Sequence, residues 1–138
     1  WLACERLGKP FYEQRVGIVG RGNVGSRLER LLQALGLETL ANDPPLVDQG
    51  ESGLVSLHEV LNCDIVSLHV PLETEGPYPT KQMIDARQLS RLAEGALLVN
   101  AARGDDIDGE ALMKVLKTGR LHAALDVWPG EPLFSADL

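Results

Sequence analysis

The 138 residues carry 13 Lys and Arg against 20 Asp and Glu, a formal net charge of −7, and 44% of them are apolar. That balance, with its bases scattered, argues against a nucleic-acid partner, whose phosphates attract clustered Lys and Arg. No apolar run approaches a membrane span, no signal-peptide layout opens the chain, and Cys4 and Cys63 lack metal-ligand spacing. Both cysteines read as thiols of a reducing compartment, so one cytoplasmic domain with a sizeable core and no bound metal is expected. The chain begins at Trp1 without Met and stops at Leu138 in mid-pattern, as an excised piece of a longer protein would.

Trp1 to Leu7 reads as the tail of a helix closed by Gly8, with Lys9-Pro10 breaking it. Val16 to Val19 reads as a buried strand that stops at Gly20-x-Gly22-x-x-Gly25. Apolar residues then recur at Val24, Leu28, Leu31, Leu32 and Leu35, which is helical spacing, and Gly36 stops the helix. A strand, a glycine turn and a helix in that order suit a dinucleotide. Gly20 permits the tight turn, Gly22 admits a pyrophosphate against bare backbone, and Gly25 lets the helix lie close on its strand. The helix N-terminus would meet the phosphates with free N–H groups. Leu37 to Ala41 then ends in Asn42-Asp43, an acidic residue roughly 20 positions beyond the turn, where such folds bind the adenosine ribose. The competing reading has Asp43 merely starting the Pro44-Pro45 turn.

Residues 46–53 are polar and turn-rich, and a short strand is expected around Leu54-Val55. Ser56-Leu57-His58-Glu59 has the form of a capping box and opens a short helix to about Asn62, with His58 solvated in its first turn. Asp64 to Pro71 reads as a strand whose carboxyl end sits beside the glycine turn, and there His69 either touches a ligand or caps backbone. Residues 72–83 form a loop containing Gly76-Pro77-Tyr78-Pro79. Asp85 caps a helix through Leu89 and Leu92 that Gly95 stops.

Ala96 to Asn100 is continuously apolar up to its last residue, as a strand covered on both faces should be. Arg103 comes just after it, either aimed into the crevice to hold a carboxylate or paired at the surface with Asp105 or Asp106. Asp108 opens a helix through Leu112, Val115 and Leu116, with Gly119 as its stop. Leu121 to Trp128 reads as a sixth strand, with His122 at its structural end and Asp126 at the crevice end. The alternation predicts an α/β fold, a doubly wound parallel sheet (Rossmann fold) in the order 3-2-1-4-5-6.

Taken together, the glycine turn, Asp43-Pro44-Pro45, His69-Val70-Pro71-Leu72, Asn100 to Gly104 and Leu125 to Pro132 resemble the D-2-hydroxyacid dehydrogenase family across essentially the whole chain. The resemblance implies that residues 1–138 are an NAD-binding domain, with residues 1–14 a lead-in helix and linker, and that most of the substrate domain is absent. It implies NAD binding by Gly20, Gly22, Asn23, Val24, Gly25, Asp43, Pro44, His69, Pro71, Ala101, Arg103 and Asp126. Asp43 would take the adenosine ribose, His69 and Pro71 the adenine and ribose side, and Asp126 the carboxamide. Arg103 would be the catalytic arginine that holds the substrate carboxylate, and Glu131 the partner of a histidine that this chain lacks. A carboxylate at Asp43, with no Arg or Lys following nearby, favours NAD over NADP. Arg21 is bulkier than the usual residue between the first two glycines and is a candidate further contact to the pyrophosphate.

Within the family, Asn42 to Pro45, Glu75-Gly76-Pro77-Tyr78 with Thr80, and Asp126-Val127-Trp128 imply a phosphorylated 2-hydroxy acid as substrate. The resemblance also implies a homodimer. The rival readings are a family member acting on another 2-hydroxy acid and a non-enzymatic, NAD-sensing corepressor-like module.

Overall fold

The computed structural model describes residues 8–129. The predicted helix tail at residues 1–7, Cys4 and Glu131 lie outside the described residues.

Five short strands form one parallel sheet: β1 (Arg15–Val19), β2 (Glu38–Asn42), β3 (Ile65–Leu68), β4 (Leu97–Asn100) and β5 (His122–Leu125), in the order β2-β1-β3-β4-β5. Helices α1 (Asn23–Ala34), α2 (Pro44–Asp48), α3 (Leu57–Val60), α4 (Ala86–Arg91) and α5 (Gly109–Lys117) connect or flank them.

Side chains alternate across β1, and each face meets a different helix. Val16 and Ile18 join Leu37 and Ala41 on one face, against Leu28 and Leu32 of α1. Gly17 and Val19 turn to the other. A Cβ on Gly17 would stand 2.6 Å from the Val60 carbonyl oxygen, so the missing side chain lets α3 lie on the strand. Val19 enters the larger core there with Val60, Leu61, Leu98 and Leu112. Burying a side chain such as Leu61 or Leu98 contributes roughly 1.5–3 kcal/mol. Burial on both faces defines the doubly wound arrangement. In α1, only part of the apolar spacing is used: Leu28 and Leu32 pack, whereas Val24, Leu31 and Leu35 are exposed.

The predicted caps form. Asp85 accepts the Gln88 N–H at 2.9 Å, Asp108 accepts the Ala111 N–H at 3.0 Å, and the Ser56–Glu59 capping box closes in both directions. Gly36, Gly95 and Gly119 take positive φ where helices were expected to stop.

Three expectations change. Leu54-Val55 is not a strand: the Val55 N–H donates to the Ala41 carbonyl at 2.8 Å, and the Asn42 amide donates to the Val55 carbonyl at 2.7 Å. Gly53 turns the chain just before, and the Ser56 cap claims it just after, leaving too few residues for a ladder. Dropping that strand turns 3-2-1-4-5-6 into the observed order of five. Pro44-Pro45 does not merely break the chain but opens α2, because Asp43 caps it and proline suits the first helical position. The last strand stops at Leu125, so Asp126 to Trp128 lie beyond it, outside the sheet.

Candidate cofactor-binding cleft

The pairing registers align Val19 with Asn42 and Leu68, Leu68 with Asn100, and Asn100 with Leu125. All five carboxyl ends therefore lie in one row, and the segments leaving them open on the same side. The row reverses direction between β1 and β3, where a doubly wound sheet leaves its crevice.

A cleft of about 580 Å³ opens there. Gly20 and Gly22 form one wall, Asp43 with Pro44 and Pro45 a second, His69 to Pro71 a third, and residues 77–80 the fourth. Gly20 has φ +90°, and a Cβ on it would come within 2.7 Å of the His69 carbonyl oxygen, so only glycine fits between β1 and β3. Gly25 meets the Gly20 carbonyl so closely that any Cβ would collide with it. Gly22 instead borders open space, with no atom within 4 Å of where its Cβ would be. It is also the N-cap of α1 and provides no side-chain acceptor, leaving the amides of Asn23 and Val24 without a side-chain cap. This cradle fits a pyrophosphate.

Asp43 faces the cleft with its carboxylate already oriented. Its Oδ2 accepts the Arg21 backbone N–H at 2.8 Å and its Oδ1 the Leu46 N–H at 3.2 Å. A carboxylate offers about four acceptor positions, so capacity remains for vicinal hydroxyls. Asp43 thus begins the following turn and also lines the cleft. Arg21 itself points elsewhere: its guanidinium binds Glu29 and Glu51. The cleft lining holds Asp43 and Glu73 but, among the described residues, no Lys or Arg.

The His69 ring lines the cleft and shares a 2.9 Å hydrogen bond with the Ser67 hydroxyl, while its backbone N–H donates to the Val19 carbonyl at 2.7 Å. Burial lowers the imidazole pKa, so the uncharged ring is what the cleft presents at neutral pH. Pro71 opens the loop that closes the far side. The Thr80 hydroxyl donates to the Pro71 carbonyl at 2.6 Å and accepts the Glu73 N–H at 2.8 Å, and the Tyr78 hydroxyl reaches Asp48 on α2 at 2.8 Å. That last bond straps the loop across to the Asp43 side. Tyr78, Thr80, Ser56, Leu57 and Met83 join the lining without having been singled out as site residues. For the loop residues the available signal was Gly76-Pro77-Tyr78-Pro79, a stiff loop just past a crevice strand.

Ala101, Arg103 and Asp126 come after β4 and β5 in the same row but lie outside this cleft. Asp126 is exposed, its N–H bonded to the Asn100 carbonyl at 2.9 Å. Arg103 is exposed and its Nη1 donates to the Ala102 carbonyl at 2.7 Å, while its backbone N–H donates to Asp106 at 3.1 Å. The Asn100 side chain holds this turn from within, accepting the Ala102 N–H and donating to the Arg103 carbonyl. Asp106 is entirely buried, and its Oδ1 has no hydrogen-bond partner. Burial pushes its carboxyl up to about 6. His58 is exposed on α3, and His122 starts β5 at the edge opposite the crevice, as expected.

A family model described as the D-isomer specific 2-hydroxyacid dehydrogenase, NAD binding domain, matches residues 1–137. Erythronate-4-phosphate dehydrogenase of Hahella chejuensis (strain KCTC 2396) is 47% identical over 138 residues, covering 99% of this chain and 36% of that protein. Erythronate-4-phosphate dehydrogenase of Escherichia coli (strain K12) is 44% identical over 140 residues, covering 99% of this chain and 37% of that protein. The NAD-complexed D-isomer specific 2-hydroxyacid dehydrogenase of Lactobacillus delbrueckii ssp. bulgaricus superposes with a TM-score of 0.76 at 34% identity, over 91% of this chain and 40% of that one. The chain thus spans about a third of the length of the curated relatives it matches. With the glycine cradle, the strand-end row and a match over nearly its whole length, the chain belongs to the D-isomer specific 2-hydroxyacid dehydrogenases as their NAD-binding domain.

Proposed function

We propose that this chain holds NAD for a dehydrogenase that oxidises a 4-phosphorylated 2-hydroxy acid, 4-phospho-D-erythronate, to the 2-oxo acid, a step of pyridoxine biosynthesis. The substrate is argued from the relatives, two of which are named as erythronate-4-phosphate dehydrogenases. Phosphoglycerate and glyoxylate are the competing substrates within the family. The observation that carries the cofactor reading is the Asp43 carboxylate facing the same cleft as the open backbone of Gly22.

In this reading Gly20, Gly22, Asn23, Val24 and Gly25 bind the pyrophosphate, and Asp43 with Pro44 binds the adenosine ribose. His69 and Pro71 line the adenine side, and Ala101, Arg103 and Asp126 the nicotinamide side. Bound NAD supplies the hydride acceptor. Arg103 binds the substrate carboxylate, turning C2 toward that side. Glu131 partners the histidine that takes the hydroxyl proton and raises that histidine's pKa. The parent enzyme works as a cytoplasmic homodimer.

The test is a calorimetric titration of the chain with NADH and with NADPH. NADH binding with clear preference, and no turnover by the isolated chain, is the expected result. A folded chain that binds neither nucleotide would overturn the cofactor assignment, and a substrate panel on the full-length enzyme decides the acid.

A further inference from the structure

Arg21 sits between the first two glycines, yet its side chain does not follow its backbone toward the cleft. Its N–H holds Asp43 at 2.8 Å. Its guanidinium is held twice over, with Nε donating to Glu29 at 2.6 Å and Nη1 to Glu51 at 2.9 Å. Glu29 projects from α1 and is only 7% exposed, a burial that a glutamate tolerates when it is paired. Glu51 comes from the segment just after α2, the helix that Asp43 caps.

A 2′-phosphorylated dinucleotide would bring added negative charge to the Asp43 side of a cleft that presents carboxylates and, among its described lining, no cation. Arg21 is one backbone hydrogen bond from Asp43, and its flexible stem ends in a planar fork suited to phosphate. We propose that Glu29 and Glu51 act as a selectivity latch, holding the Arg21 guanidinium off the ribose so that NADP finds no cationic partner. This rests on the NAD reading of the cleft. Asp43 repels the 2′-phosphate, and the two glutamates withhold the group that would otherwise compensate for it.

The test uses the full 138-residue chain and the variants Glu51→Gln and Glu29→Gln/Glu51→Gln, titrated with NADH and with NADPH after circular dichroism has checked folding. The ratio of NADPH to NADH dissociation constants should fall about tenfold in the double variant, the effect of one added charge-assisted hydrogen bond. A smaller fall is expected in Glu51→Gln. Adding Arg21→Ala should restore the original ratio. The Glu51 side chain is 52% exposed, so Glu51→Gln carries the test if replacing the buried Glu29 unfolds the chain. An unchanged ratio in folded variants that still bind NADH overturns the latch alone, as does a gain that survives Arg21→Ala. Failure of the unmodified chain to bind NADH overturns the cleft reading and the latch with it.

Discussion

Asp43 and Arg21 lie 22 residues apart in sequence, yet the carboxylate of the first accepts the backbone N–H of the second at 2.8 Å, tying the end of β2 to the glycine turn after β1. The other carboxylate oxygen caps α2 through the Leu46 N–H. One side chain therefore fixes two walls of the cleft before any ligand arrives, and its loss has two separable effects. Asp43→Ala should cost about 1 kcal/mol of stability through the lost cap. It should also weaken NADH binding about tenfold through loss of the proposed ribose contact. Asp43→Asn keeps one acceptor, enough for the cap, but turns its NH2 toward the Arg21 N–H, so it should recover only part of the lost stability while still losing affinity. Equal losses for NADH and NADPH would remove Asp43 from its discriminating role.

Gly25→Ala sets helix propensity against packing. Alanine gains about 1 kcal/mol over glycine inside a helix. Its Cβ, however, would collide with the Gly20 carbonyl, a backbone atom held by the turn. Overpacking of this kind costs roughly 1–3 kcal/mol. The clash should win, lowering the urea midpoint of unfolding, and a midpoint equal to or above that of the unmodified chain would show that the turn yields.

Asp106 gives a pH signature of opposite sign to that of an ion-paired carboxylate. Its folded pKa, about 6, lies above the ordinary value of 3.8. The unfolded chain therefore loses the proton first as pH rises. The Asp106 contribution is full below pH 3.8, declines through the window up to 6, and leaves the fold up to about 3 kcal/mol less stable above it. Asp106→Asn should abolish that decline. Urea unfolding at about pH 4.5, 5.5 and 7, spanning that window, would show the two proteins diverging, and parallel curves would refute the assignment.

Arg103 is tested in the full-length enzyme. Its guanidinium rests on the Ala102 carbonyl and lies outside the cleft between Gly22 and Asp43. Arg103→Ala should therefore lower kcat/KM by about a hundredfold while costing far less in NADH affinity. Matched losses in both would return Arg103 to a structural role.

Cys63 should be inert while the chain is folded. It is fully buried, and burial raises its thiol to about 11, leaving little thiolate to react at about pH 8. In a Cys4→Ser background, a thiol reagent should label the native protein only at its rate of unfolding. Rapid labelling would place Cys63 within reach of solvent.

The sequence alone carried whatever depends on near neighbours. The glycine turn, the caps at Ser56, Asp85 and Asp108 and the glycine stops act within a few residues, so spacing was enough to locate them. The alternation of strands and helices came with them, and so did the row of strand ends where Asp43 and His69 meet. Asp43 as a cap was equally local, and the Pro44-Pro45 pair hid it by suggesting only a break. The tertiary structure decided the rest. Whether residues 54–55 make a ladder depends on how much chain remains between a turn and a cap once β2 is in place. The Arg21–Glu51 pair and the Tyr78–Asp48 strap join segments that only the sheet brings together. No spacing rule announces that Asp106 is buried, because its desolvation comes from the packing of the loop before α4 against the turn after β4. Short-range hydrogen bonds can be read along a chain, but burial and long-range charge pairing exist only after the chain has closed on itself.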